Sequence, residues 1–150
     1  MRPREPAGAS HPHHPWRRFA ELTDWSLRWD ELPSGVMGRT CHETRTVTLA
    51  LGMSQAERRC TIAHETEHIE RGPVAPQQAQ REELDIDRTV GRLLIPSVRQ
   101  LVDAMTWAAG HPETAADALW VDDYLLAVRL SSLTGLERSY VDRRLTGVLL

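Results

Sequence analysis

The stretch from Ser54 to Gly72 constrains this chain more than any other. Ser54 with Glu57 three residues later is the pattern of a capping box, in which each side chain satisfies a backbone N–H that the first helical turn leaves open. Gly72-Pro73 marks the stop, so a helix is expected from Ser54 to about Glu70. In its middle lies His64-Glu65-Thr66-Glu67-His68. Helical positions four apart stand one above the other, which sends His64 and His68 to the same side at a separation that suits one tetrahedral metal ion. Glu65 lies beside that face. A carboxylate there can accept a proton from an attacking water and hand it to the leaving amine. A purely structural zinc site closes with four protein ligands and has no use for Glu65, so the pattern favours catalysis over scaffolding.

Zinc at a catalytic site needs a third protein ligand. The candidates on the next helix are Glu82, Glu83, Asp85 and Asp87. A helical wheel centred on Glu83 sets Val90 and Leu94 within about 20° of it, Asp87 at about 40°, and Ile86 and Leu93 further round on the same side. Glu83 and Asp87 therefore share the apolar, inward face. Asp85 falls on the opposite side among Arg81, Arg88 and Arg92, and Glu82 sits at the edge. A carboxylate turned inward needs compensation, so Glu83 is the expected third ligand. Asp87, one turn on, is placed to accept the other ring N–H of a ligating histidine.

Around these two helices the fold class reads as α+β: a small mixed or antiparallel sheet packed on the central metal helix, with three to four further helices. Met1 to Pro15 carries four prolines and almost no large apolar side chain, the composition of a disordered tail, and holds His11, His13 and His14. A short helix is expected over Trp16 to Ala20. Ser26 to Leu32 alternates like a strand before Pro33-Ser34-Gly35, and β-branched Thr44 to Leu51 is a second strand and a candidate sheet edge, which an extended substrate could join. Helices are expected from Gln77 or Gln78 to Ile95, over Ser97 to Ala109, about Trp120 to Leu133, and over Leu136 to Leu145. Residues 16–110 would make the metal domain, with 111–150 a helical extension packed on it. A turn near Trp120-Val121-Asp122 gives Ala118 to Leu133 a helix-turn-helix look. Asp122-Asp123 would repel phosphates there, so the stretch reads as a packing or substrate-docking element and not as a DNA reader.

Composition removes other classes. A formal charge of -3 offers no field to hold a polyanion, so direct nucleic-acid binding is not expected. All 18 basic residues are arginine, and lysine and asparagine are absent, a bias that fits a high-GC genome. Cys41 and Cys60 have no zinc-finger spacing and read as free thiols, with a buried structural role expected for Cys60. No stretch approaches a membrane span and the N-terminus lacks a secretion signal's apolar core, so the expected compartment is the cytoplasm. Some donor must stabilise the oxyanion, and His111, Tyr124 and Tyr140 are equal candidates for it. The oligomeric state is open.

The run Thr61-Ile62-Ala63-His64-Glu65-Thr66-Glu67-His68, followed by Glu83-Leu84-Asp85-Ile86-Asp87 and Arg92-Leu93-Leu94-Ile95-Pro96, resembles the ImmA/IrrE metallo-endopeptidases over roughly residues 35–130. That resemblance implies a gluzincin-like zinc site and a protein substrate, a transcriptional repressor of a phage, mobile-element or stress circuit. Ile86 and Thr89-Val90 depart from the family pattern. The competing reading is a zinc-binding regulator that acts by protein contact without proteolysis.

Overall fold

A computed structural model describes residues 13–146. Residues 13–90 form one compact unit and the residues from Gly91 onward another. The first unit contains α1 (Pro15–Ala20), β1 (Ser26–Asp30), β2 (Gly38–Cys41), β3 (Thr46–Ala50) and α2 (Gln55–Arg71), then a single 3₁₀ turn at Pro76–Gln78 and most of α3 (Ala79–Leu94). The chain is α+β with a mixed sheet, as the patterning predicts.

Ordering begins earlier than composition suggests. Residues 1–12 of the expected tail, His11 among them, lie outside the described residues, but Pro15 is buried as the first residue of α1. Proline is favoured at that position because its fixed φ suits the helix and its missing N–H would have no partner there. The Arg59 guanidinium donates to the His13 carbonyl at 3.4 Å, and Phe19 joins Val47, Leu49 and Ile62 in the core. These contacts tie α1 to α2 and the sheet.

The sheet order is β1-β3-β2, with β1 parallel and β2 antiparallel to β3. The expectation that the Thr44 to Leu51 strand forms an edge is therefore wrong: β3 is central, and both its backbone sides are paired. Alternation tells which face of a strand is buried, Val47 and Leu49 here, but carries no information on which backbone edge is satisfied. The edge beside the motif helix is β2, a four-residue strand that patterning did not single out.

Helix α2 starts as the sequence requires, with Ser54 and Glu57 forming both hydrogen bonds of the capping box, and ends at Gly72 with φ +80°, a conformation glycine adopts without cost. Its middle is buried on nearly every side, Thr61, Ile62, Ala63, Glu65, Thr66 and Glu67 alike. The core under Ile62 fixes the helix's rotation and so aims the side chains of the motif.

The second unit holds the end of α3, α4 (Val98–Trp107), α5 (Pro112–Leu119), α6 (Asp123–Ser131) and α7 (Gly135–Leu145). Beyond α2 the described residues thus contain six α-helices, more than the three to four expected. The unforeseen one is α5, which follows Gly110-His111-Pro112 directly: the proline breaks α4 and also serves as a first helical residue. Arg129, fully buried, donates through Nε to the Ile95 carbonyl at 2.8 Å and through a terminal nitrogen to Glu137 at 2.7 Å. Glu137 also caps α7 and pairs with Arg92, and the guanidinium–carboxylate cluster holds its carboxyl far below the usual range. Among the described residues no helix is long and apolar enough to cross a membrane.

Candidate metal centre

Helices α2 and α3 bring His64, His68 and Glu83 together: one donor atom from each lies within 4.8 Å of the others. The imidazoles lie one turn apart and meet edge to face, with centroids 4.9 Å from each other and planes inclined at 63°. Glu83 bridges them, Oε2 at 2.9 Å from His64 Nε2 and Oε1 at 2.7 Å from His68 Nε2. On the far side of the His64 ring, Nδ1 is 3.1 Å from Asp87 Oδ1.

This arrangement fixes the chemistry of the donor set. With Nδ1 committed to Asp87, His64 presents Nε2 toward Glu83 and His68, the division of labour seen when a carboxylate orients a ligating histidine. Burial would lower the His64 pKa, but the hydrogen bonds it donates to Asp87 and Glu83 and the nearby Glu65 charge outweigh it and push the value up to about 10. The hydrogen bond to His64 holds Glu83 below the ordinary carboxylate range. In this state a proton on His64 supplies the positive charge that the carboxylates require. Two imidazole nitrogens and one carboxylate oxygen are the donor types that zinc takes, and three protein ligands leave its fourth position open, so the residues present fit zinc.

Glu83 does not lie buried as the wheel suggests. Its side chain is 50% exposed, whereas that of Asp87 is 13% exposed. Glu83 belongs to the early part of α3, before the fully buried Ile86 and Val90, so it shares their direction but not their depth. The inward carboxylate that needs compensation is Asp87, and His64 provides it. Asp85 is exposed, as expected, and the half-buried Glu82 turns one oxygen inward without a hydrogen-bond partner among the described residues.

Glu65 stands outside the donor triad and is 5% exposed. Its carboxylate accepts a short hydrogen bond from the Thr40 hydroxyl on β2. Gly38, two residues earlier, lies so close that a Cβ there would come within 2.6 Å of Thr61 Cγ2 and 2.9 Å of Glu65 Oε1. Neither residue was singled out from sequence. The available signal was a glycine inside a short run, which often marks a close backbone approach. Arg18 was missed as well. It pairs with Glu70 and, at 3.1 Å, with Glu67, which is also approached by Arg71 at 3.6 Å.

Cys41 ends β2 and Cys60 is buried one turn before His64, neither of them in a disulfide. His111 is the exposed N-cap residue of α5, and Tyr124 and Tyr140 lie on α6 and α7, all in the second unit. No family model, curated protein or solved structure matches this chain.

Proposed function

We propose that the chain is a zinc-dependent endopeptidase, with His64, His68 and Glu83 as metal ligands, Asp87 orienting His64, and Glu65 as the general base. The observation that carries this reading is the separation of roles between four carboxylates. Glu83 meets both imidazoles, Asp87 holds the outer nitrogen of one, and Glu67 is absorbed by arginines. Among the described residues Glu65 adjoins the triad with the Thr40 hydroxyl as the hydrogen-bond partner of its carboxylate. A site serving structure alone would not need a buried carboxylate oriented there.

Zinc bound there supplies a Lewis acid and makes water acidic near neutral pH. The chain's own residues do the rest. Thr40 holds one oxygen of Glu65, which fixes the plane of the carboxylate and leaves the other oxygen to take a proton from the attacking water and return it to the leaving amine. Asp87 keeps His64 from rotating. The Ala50 N–H donates to the Met37 carbonyl at 2.8 Å. With the antiparallel register this sets Arg39 and Cys41 toward β3, so Gly38 and Thr40 present their backbone groups to the open edge of β2. An extended substrate added along that edge would run past Glu65.

The resemblance to the ImmA/IrrE peptidases supports a transcriptional repressor as the substrate. Glu65→Gln keeps size and hydrogen-bonding capacity but removes the base, so fold and zinc should survive while cleavage falls by a factor on the order of 10² or more. The test places wild type and variant in a host with the cognate repressor, following the repressor's length and the output of the gene it controls. A Glu65→Gln protein that still switches the gene fully, with the repressor intact, would make the chain a contact regulator instead.

A further inference from the structure

The pairing of the sheet sorts the residues of β2 onto two faces. Gly38 and Thr40 stand opposite Leu49 and Val47, which are shut off from solvent, so these four share the face packed on α2. Arg39 stands opposite Thr48 and projects from the other face, where it is exposed. Arg28 on β1 flanks Thr48 from the opposite side, on that same outer face, and is exposed as well. Neither guanidinium has a hydrogen bond, ion pair or ring contact among the described residues. Arg45, in the turn that joins β2 to β3, by contrast reaches Asp24 at 3.3 Å.

The open edge of β2 therefore presents backbone groups and one unneutralised charge together. The N–H and C=O groups of Gly38 and Thr40 alternate as a neighbouring peptide strand requires, and a nucleic acid has no such series to match them. In antiparallel addition Arg39 falls in the close, non-hydrogen-bonded pair, with Cα atoms about 4.5 Å apart, so the side chain beside it on the added strand decides the fit. An apolar residue there would cover the guanidinium without pairing it, and a basic one would repel it. A second copy of this chain, adding by its own β2 or β1, would bring another arginine to the same face, which opposes self-pairing.

We propose that Arg39 selects the substrate: the segment that joins β2 carries a glutamate or aspartate beside Arg39, and the residues on either side of that acid turn toward α2 and Glu65. The inference rests on the peptidase reading in taking that segment as the substrate. Arg28 adds to the positive field along the outer face. Arg39 itself lies on the face away from α2 and Glu65, so it governs which segment is held and leaves the chemistry to the metal centre.

The test uses the full chain carrying Glu65→Gln, with zinc added, and three end-blocked peptides Ala-Thr-Leu-Xaa-Leu-Thr-Ala with Glu, Gln or Arg at the centre. The amide NMR signals of Gly38 and Thr40 report strand addition. The Glu peptide should move both signals saturably at millimolar concentration, with affinity about fivefold above that of the Gln peptide and the Arg peptide weaker still. That preference should shrink as salt rises. Arg39→Gln should bring the Glu peptide down to the level of the Gln peptide, and Arg39→Glu should make the Arg peptide the tightest, both with the melting temperature level because the side chain is exposed. Equal affinity for the three peptides, no shift at Gly38 and Thr40, or an order unchanged in Arg39→Glu would each overturn the proposal. Cleavage is followed separately with zinc-loaded wild type. Equal cleavage of all three peptides would overturn the selectivity and leave the peptidase reading standing. Binding in the expected order with none of them cut would support the selectivity of the edge and count against the peptidase reading.

Discussion

Two clusters of charge, the His64–His68–Glu83 centre in the first unit and the Arg129–Glu137 pair in the second, put similar groups to opposite uses. Glu137 accepts from Arg129, Arg92 and the Thr134 N–H, and Arg129 is shut off from solvent. Each carboxylate oxygen there is occupied by groups that cannot give up their charge. Glu83 also bridges two partners, but they are imidazoles, whose ring nitrogens can offer lone pairs, and its side chain is half exposed. The Arg129–Glu137 pair is closed and serves the fold. The histidine centre, in the reading proposed above, can exchange its proton for a metal ion.

Deleting the carboxylate should expose this difference most strongly. Glu137→Ala strands a buried guanidinium and should cost about 3–5 kcal/mol of stability in a denaturant melt. Glu83→Ala in the metal-free protein removes a half-exposed partner and should cost about 1 kcal/mol or less, while zinc binding is lost. Equal costs for the two would erase the distinction.

The response to pH should be next in size, and opposite in sign at the two clusters. His64 has a folded pKa raised to about 10, so the stability it contributes to the metal-free protein is fully present below its unfolded value near 6.5 and is lost as pH rises toward 10. Zinc must displace the His64 proton, so its affinity should climb through the same window. Glu137 is depressed, and its contribution is present above its unfolded value near 4.5 and persists into acid well below it. Thermal melts of the metal-free protein between pH 6 and 10, with zinc titrations across the same range, check the His64 direction, and melts of wild type and Glu137→Gln carried below pH 4.5 check the other. A zinc affinity flat over that range would contradict the shared role of His64.

Smaller effects come from the residues that support the base and the ligand. Gly38→Ala forces a methyl group against Thr61 and Glu65 and should destabilise by about 1–3 kcal/mol in a thermal melt. Asp87→Asn leaves the three ligands but weakens the orientation of His64, and should reduce zinc affinity by roughly 10–100-fold in a chelator competition.

Much of the first unit was legible because its signals are local. The capping box at Ser54, the glycine stop at Gly72 and the four-residue spacing of His64 and His68 each follow from one helix's own geometry. The wheel on α3 put Glu83 and Asp87 on one side, which matches the contacts both make with the imidazoles. Depth was not legible, since a wheel gives direction and says nothing of where a helix passes the edge of its neighbour. Strand β2 was missed because four residues with glycine first have no pattern to read, and with it went Thr40, whose role exists only through a contact 25 residues away. The central place of β3 and the pairing of Arg18 with α2 are likewise products of tertiary assembly.

The central claim is that His64, His68 and Glu83 hold zinc while Glu65 stands beside it as a base. The most direct test is the metal content of purified protein after exposure to zinc at neutral pH and removal of the excess, for wild type, Glu65→Gln and Glu83→Ala. The account predicts one zinc per chain in wild type and in Glu65→Gln, and none in Glu83→Ala. A wild-type chain that retains no zinc, or a Glu65→Gln variant that loses it, would contradict the account.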